Sequence, residues 1–218
     1  LVVLVGLALR STLWRTMGNE PLMIDLPPYQ VPTLRVMASV TWVRLRGFLR
    51  TAGGIILVTV CLVWLLQSVP VKGDAPLGSV RVEDSAYAKI AAEVSPVFAP
   101  AGFDQWRSAG ALITGFVAKE AVISSWAQTY ALDDTSRAGQ EGLSAALRRD
   151  FAASSGGHPL PAVLAFMVFL LAYTPCVATL AAQRREVGMR WTLFGIAMQL
   201  VVAYALAVLV FQVGRVWW

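Results

Sequence analysis

The chain has 218 residues, of which 57% are hydrophobic and only 14% are charged. An average soluble domain has about 25% charged residues, so this composition excludes such a domain and predicts an integral membrane protein. The formal net charge is +5, but the basic residues flank apolar segments instead of forming one face, which argues against nucleic-acid binding. Both cysteines, Cys61 and Cys176, lie within apolar segments, so a disulfide framework is not expected.

The first fifty residues predict the end of a membrane span followed by a connector. Residues 1–10 begin with the apolar run LVVLVGLAL, which is typical of the tail of a truncated span. We therefore expect the chain to be a C-terminal fragment of a larger protein. Residues 11–50 predict a cytoplasmic connector that begins with a proline-rich structured loop. The connector ends in an amphipathic helix at 33–50, whose basic face would lie on the lipid headgroups.

Residues 51–218 predict four further membrane spans. We place them at about 51–69, 106–130, 161–182 and 191–213, because each is apolar over most of its length. Each is also long enough to cross a hydrocarbon core of about 30 Å as a helix. The predicted fold is therefore all-α: a polytopic membrane bundle with an interfacial amphipathic helix and broken helices.

The third of these spans contains Pro175, followed directly by Cys176. Proline has no N–H, so it frees the backbone carbonyl four residues earlier, at Leu171. A freed carbonyl is costly in lipid unless protein, water or an ion satisfies it. A thiol and an unpaired oxygen near membrane depth together make a candidate cation site. The alternative is a proline kink in which Cys176 only fills space, as free cysteines usually do.

The span at 106–130 contains Lys119 and Glu120 in an otherwise apolar segment. An ionisable residue at membrane depth usually faces a cavity, a partner or a pathway. In a continuous helix the two side chains point about 100° apart, so Glu120 would face a pathway while Lys119 neutralises another group. Alternatively, the helix breaks here and both charges lie at the membrane interface. The segment is also rich in small residues that let another helix approach closely: Gly110, Thr114, Gly115 and Ala118.

Three segments resemble, in order and in separation, the membrane domain of the ferrous iron transport protein B (FeoB) family. They are LPPYQVPTLRVMASVTWVRLRGFLRTAG (Leu26 to Gly53), ALITGFVAKEAVISS (Ala111 to Ser125) and LAYTPCVATLAAQRRE (Leu171 to Glu186). The resemblance covers nearly the whole chain. It implies the connector after a first Gate-type half, followed by the second Gate half, residues 51–218.

The resemblance implies a ferrous iron importer of the bacterial cytoplasmic membrane. Cys176 matches the second of two family cysteines that are thought to line the Fe²⁺ path, and Lys119 and Glu120 match the family's Ala-Lys-Glu. On this hypothesis Cys176 is a transient Fe²⁺ ligand and Glu120 attracts or relays the cation. Thr174 and the Leu171 carbonyl would be auxiliary oxygens.

Fe²⁺ is then a transported substrate, and no cofactor is expected in this chain. The family carries a GTPase domain, with its GTP and Mg²⁺, ahead of the membrane domain. The 218 residues contain no G-x-x-x-x-G-K-[ST] loop, so we do not expect this chain to be an enzyme. Expected partners are membrane lipids, the GTPase domain and the first Gate half of the same protein. A second copy of the chain and small accessory Feo proteins are further candidates.

Two alternatives stay open at this point. The first is a Gate-type permease for a nucleoside or another organic solute, with a polar pocket that uses Glu120 and Gln199. The second is a scaffold or oligomerisation half, in which Gly110, Thr114 and Ala118 pack against a neighbour. In that case Cys176 would have no role in transport.

Overall fold

The structure is a computed structural model that describes residues 2–12, 33–71, 81–130 and 137–217. These residues are almost entirely helical and contain no β-strand, so the all-α prediction is confirmed for the part described. The α-helices are α1 (Val2–Thr12), α2 (Leu34–Ser68), α3 (Ala86–Val94), α4 (Trp106–Val117), α5 (Val122–Thr129), α6 (Arg137–Ser154), α7 (Pro159–Ala172) and α8 (Val177–Trp217). Short 3₁₀ turns lie at Val82–Asp84, Ser95–Ala101 and Lys119–Ala121.

The chain divides into two compact units, Leu1–Val43 and Arg44–Trp218. The first contains α1, which buries none of its residues, and the beginning of α2. The proline-rich loop predicted in the connector lies outside the described residues. The second unit contains the rest of α2 and all the later helices. The predicted amphipathic helix and the predicted span that follows it thus belong to one helix of 35 residues.

One stretch of the described residues, Pro159–Trp217, is long and apolar enough to cross a membrane. It is not one straight helix, because the chain leaves the helix between α7 and α8, and Gly188 (φ 81°, ψ 167°) interrupts α8. Only glycine adopts such a conformation readily. Large apolar side chains such as Leu57 and Val201 are exposed along α2 and α8. Exposed apolar surface on this scale is expected of a membrane protein and not of a soluble monomer.

An aromatic core packs the second unit together. Phe166 of α7 is 1% exposed, and its ring centroid lies 4.9 Å from that of Trp126 and 5.4 Å from that of Phe103. Phe98 and Phe169 extend the same cluster, with their ring centroids 5.2 Å apart. Rings at these separations pack edge-on or offset, which stabilises the contact beyond the area buried. The core therefore joins α5 and α7 to the segment between α3 and α4.

A polar cluster ties the start of α4 to the ends of α5 and α6. The Arg107 guanidinium lies 2.8 Å from a Glu83 oxygen and 3.6 Å from an Asp150 oxygen. It also lies 4.8 Å from the ring centroid of Tyr130, whose hydroxyl donates a hydrogen bond to Asp150. Because the charges and the ring attract one another, the start of α4 is held against the ends of α5 and α6.

The span predicted at 106–130 is broken. Helix α4 ends at Val117, Ala118 is extended (φ −150°, ψ 111°), and Lys119–Ala121 form a 3₁₀ turn before α5 begins. The argument that Lys119 and Glu120 point about 100° apart presupposed a continuous α-helix, which the structure does not have at these residues. The alternative of a helix break at the two charges matches the structure.

Candidate functional site

A second helix break lies between α7 and α8. The backbone N–H of Tyr173 closes α7 by donating to the Phe169 carbonyl at 2.8 Å, and the Leu180 N–H opens α8 by donating to the Cys176 carbonyl at 3.1 Å. Pro175 lies between them. The cause is local, because proline lacks an N–H and its ring disfavours the helical conformation in Thr174. This is the interruption that the sequence predicts.

Tyr173 brings the two breaks together. Its ring centroid lies 4.9 Å from the Lys119 Nζ, a cation–π distance, and its hydroxyl donates to the Leu112 carbonyl of α4 at 3.2 Å. A Cβ on Gly115 would lie 3.0 Å from the same hydroxyl, so the close approach needs glycine there. Sequence reasoning missed Tyr173; the available signal was an aromatic residue directly before Thr-Pro-Cys.

Lys119 of the first break lies within electrostatic range of the thiol of the second. Lys119 interacts electrostatically with both Glu120 and Cys176. The Cys176 Sγ lies 3.2 Å from the Thr179 Oγ1, and Cys176 directly precedes the first residue of α8. Cys176 thus occupies the N-terminal end of α8, where the helix dipole favours negative charge. The thiolate is the form of cysteine that binds metals.

The remaining predicted pathway residues have different surroundings. Leu171 is exposed in the last turn of α7. Thr174 is 2% exposed and lines an apolar cavity of about 380 Å³ with Phe98, Leu112 and Ile196. The described residues contain no group of three or more His, Cys, Asp or Glu side chains that could hold a metal ion. The structure therefore puts Lys119 of the first break over the Tyr173 ring at the second, and it places Thr174 against an apolar cavity.

The small residues of α4 lie against α3 of the same chain. A Cβ on Gly110 would lie 2.9 Å from the Tyr87 hydroxyl, and the same hydroxyl is 2.9 Å from the Thr114 Oγ1. It also lies 3.4 Å from the Ser125 Oγ of α5. Burial raises the pKa of Tyr87, and its hydrogen bonds to Ser125 and Thr114 lower that pKa in part. Tyr87 was not singled out from the sequence.

A cavity of about 250 Å³ that is lined mostly by apolar surface adjoins the first break. Its polar lining residues are Gln67, Thr114, Ser124, Ser125 and Gln128, and its apolar walls include Val60, Val63, Trp64 and Val117. Ala118 and Ala121, which flank the charged pair, also line it. The cavity therefore lies against the break that contains the charged pair.

Two family models match the chain. The Gate model, described as nucleoside recognition, matches residues 49–190, and the model of the ferrous iron transport protein B C terminus matches residues 1–44. The chain belongs to the Gate family and to the FeoB family. The resemblance predicted from three sequence segments is thus confirmed. The FeoB model that matches is, by its description, the model of the C terminus, so the resemblance is to the C-terminal part of FeoB.

Similar proteins include the Fe(2+) transporter FeoB of Methanocaldococcus jannaschii, 34% identical over 99% of this chain and 30% of that protein. The Fe(2+) transporter FeoB of Staphylococcus aureus strain COL is 33% identical over 97% of this chain and 29% of that protein. A Fe(2+) transport protein A/Fe(2+) transporter FeoB fusion protein of Porphyromonas gingivalis is 30% identical over 98% of this chain and 29% of that protein. The chain thus spans about 30% of the length of these relatives. No solved structure matches it.

Proposed function

We propose that this chain is the C-terminal transmembrane part of a GTP-dependent Fe²⁺ importer and forms part of the ion pathway. The observation that carries the proposal is the meeting of two helix breaks, at which Lys119 lies 4.9 Å from the Tyr173 ring and interacts electrostatically with Cys176. Discontinuous helices that meet near the membrane midplane are a general device of transporter binding sites. The names of the relatives, Fe(2+) transporter FeoB, supply the substrate.

The ligand chemistry supports Fe²⁺ as the cargo. Fe²⁺ accepts thiolate, carboxylate and carbonyl oxygen, which Cys176, Glu120 and the Leu171 carbonyl supply. Thr174 is a fourth candidate ligand, and its hydroxyl would have to turn from the apolar cavity that it lines. A transport site must release its ion, so a few ligands suit it better than a closed cage. The thiol must lose its proton to bind, and the arriving cation favours that loss.

Lys119 has a specific part in this mechanism. Its ammonium is a positive charge that interacts with Cys176 and Glu120, so it would balance their negative charge when no metal is bound. An arriving Fe²⁺ competes with that charge. The ammonium lies over the face of the Tyr173 ring, and the flexible lysine stem would let it leave that position when the ion arrives. Each Fe²⁺ ion then binds after it has displaced the Lys119 ammonium.

The whole protein would be a multi-pass protein of the bacterial cytoplasmic membrane. We assign its spans here to 51–69, 106–130, 161–182 and 191–213, with the second and third broken as described. An N-terminal GTPase domain that uses GTP and Mg²⁺, and a first Gate half, would complete the transporter. The name of the Porphyromonas gingivalis relative, a fusion with Fe(2+) transport protein A, supports a small accessory Feo protein as a further partner.

The test is Fe²⁺ uptake by cells that lack their own ferrous importer and express the full-length parent. Cys176→Ser should lower uptake at least about tenfold, since even residues that only orient a metal ligand contribute about 10- to 100-fold. Cys61→Ser is the matched control, because Cys61 is a free, exposed cysteine on α2. Equal uptake by both variants at matched membrane levels would show that Cys176 only fills space.

A second candidate function is a permease for a nucleoside or another organic solute. The description of the Gate model, nucleoside recognition, favours it. This function predicts nucleoside uptake by the parent that is insensitive to Fe²⁺ and to thiol reagents. Fe²⁺ uptake and nucleoside uptake can be measured in the same cells. Uptake of radiolabelled nucleoside without uptake of Fe²⁺ would replace the first proposal by the second.

A further inference from the structure

A groove of about 460 Å³ lies between α6 and α7, beside Trp126 of α5. Leu147 and Phe151 line it from α6. Leu160 and Met167 line it from α7 and are themselves exposed. The surface of this α6–α7 groove is almost entirely apolar. Sites for small ligands usually have volumes of about 300–1,000 Å³, so the groove is large enough for a ligand, and its lining favours an apolar one.

The α6–α7 groove lies where an amphipathic helix meets the start of a membrane span. Helix α7 begins the stretch Pro159–Trp217, which is long and apolar enough to cross a membrane. In helix α6, Leu143 and Phe151 are buried while Arg148 and Arg149 are exposed. Amphipathic helices with a basic polar face lie at the level of the lipid headgroups. The groove therefore extends from the headgroup region into the hydrocarbon along the first turns of α7.

One cation adjoins this apolar surface. Among the described residues that line the groove, Arg148 alone has a charged side chain. Arg148 forms no ion pair with any described residue, whereas Arg107 is paired with both Glu83 and Asp150. A guanidinium presents its N–H donors in a planar fork that fits a phosphate group. An unpaired guanidinium beside an apolar groove complements a ligand with an anionic head and an apolar tail.

We propose that the α6–α7 groove binds one acyl chain of an anionic phospholipid, whose phosphate pairs with Arg148. The apolar lining selects the chain, and the charge of Arg148 selects the head, because basic groups next to membrane helices attract anionic headgroups. A zwitterionic phospholipid carries the same chains but no net negative charge, so it is held less well. This site goes beyond the proposed transport function and does not depend on which solute the protein carries.

The experiment places the full-length parent in phosphatidylcholine nanodiscs. A trace of phosphatidylglycerol or of phosphatidylcholine is added, each with a photoreactive diazirine on one acyl chain. After irradiation, peptide mass spectrometry measures the label on α6 and α7. In the parent, phosphatidylglycerol should label the groove at least about fivefold more than phosphatidylcholine does, the contribution of one arginine near an anionic headgroup.

Arg148→Gln should bring this ratio of the two labelling yields close to one. The substitution is at an exposed position, so the protein is expected to fold normally. Arg149→Gln is the matched control. Arg149 is the next residue of α6, but its Nε donates to the Ala145 carbonyl at 3.4 Å, and Arg149 does not line the groove. Its ratio should equal that of the parent.

A second pair of variants tests the acyl chain. Met167→Trp adds bulk to an exposed side chain that lines the groove, so it should lower the label on α6 from both lipids. Leu164→Trp is the control, because Leu164 is also exposed on α7 but does not line the groove. If Met167→Trp and Leu164→Trp leave the same label on α6, the chain does not enter the groove and the proposal is wrong.

Two further outcomes would overturn the lipid site. Equal labelling of the parent by the two lipids would show that the headgroup is not selected, and a preference that survives Arg148→Gln would show that Arg148 does not select it. Excess inorganic phosphate should leave the ratio unchanged. If phosphate abolishes the preference, Arg148 binds a free anion and not a lipid. None of these results bears on Fe²⁺ uptake, which Cys176→Ser tests separately.

Discussion

Replacing Gly110 with leucine should leave little folded protein. A Cβ at this position would lie 2.9 Å from the hydroxyl oxygen of Tyr87 and 3.0 Å from its Cε1, which is closer than real Cβ atoms approach their neighbours. The Tyr87 side chain cannot move aside, because it is 1% exposed and its hydroxyl is hydrogen-bonded to Thr114 and Ser125. Overpacking usually costs about 1–3 kcal/mol, and leucine adds three further carbons. We therefore expect a destabilisation at or above the upper end of this range.

The measurement is the yield of full-length parent that elutes as a single peak on size exclusion after detergent extraction. Gly53→Leu is the control, because Gly53 is also helical and has nothing within 4 Å of its Cβ position. Normal yield of Gly110→Leu would contradict the structure at α3 and α4. A folded variant that has lost only its oligomeric state would instead support the scaffold hypothesis, in which this face packs against a neighbour.

Replacing Tyr173 with alanine should cost about 3–5 kcal/mol of stability, the range found when a large buried ring is removed. The ring is 7% exposed and stacks on Phe169 with centroids 5.5 Å apart. It also carries the Lys119 ammonium at 4.9 Å. Without the ring, the ammonium loses the contact that holds its position and could pair directly with the Cys176 thiolate, so Fe²⁺ uptake by the folded fraction should fall as well.

The matched variant is Tyr173→Phe. It keeps the ring and loses only the hydrogen bond to the Leu112 carbonyl, so it should cost about 1 kcal/mol and retain uptake. Denaturant unfolding in mixed micelles measures the stability, and uptake per folded protein measures the function. If Tyr173→Phe lowers the stability as much as Tyr173→Ala does, then the hydroxyl of Tyr173, and not its ring, joins the two helix breaks. If alanine retains full uptake per folded protein, Lys119 has no competing role at the thiol.

The two helix breaks differ in how far the sequence predicts them. The break before α8 has a local cause in Pro175, whose missing N–H and bulky ring end a helix in any context, so its position could be predicted. The break after α4 has no such cause. Ala118 favours a helix, yet it is extended, and the segment from Ala118 to Ala121 contains no proline or glycine. Hydrogen bonds between Tyr87 and the hydroxyls of Thr114 and Ser125 join the helices on the two sides of this break.

The sequence by itself determined the helical class, the family and the residues that carry ionisable chemistry. These follow from composition, from apolar length and from motif order, which need no knowledge of contacts. Only the tertiary structure decided that Lys119 lies over Tyr173, that Tyr87 fills the space at Gly110, and that three hydroxyls form a ring beside a cavity. These pairs are separated by 11 to 54 residues along the chain. Contacts at such separations depend on how whole helices pack, which no local pattern encodes.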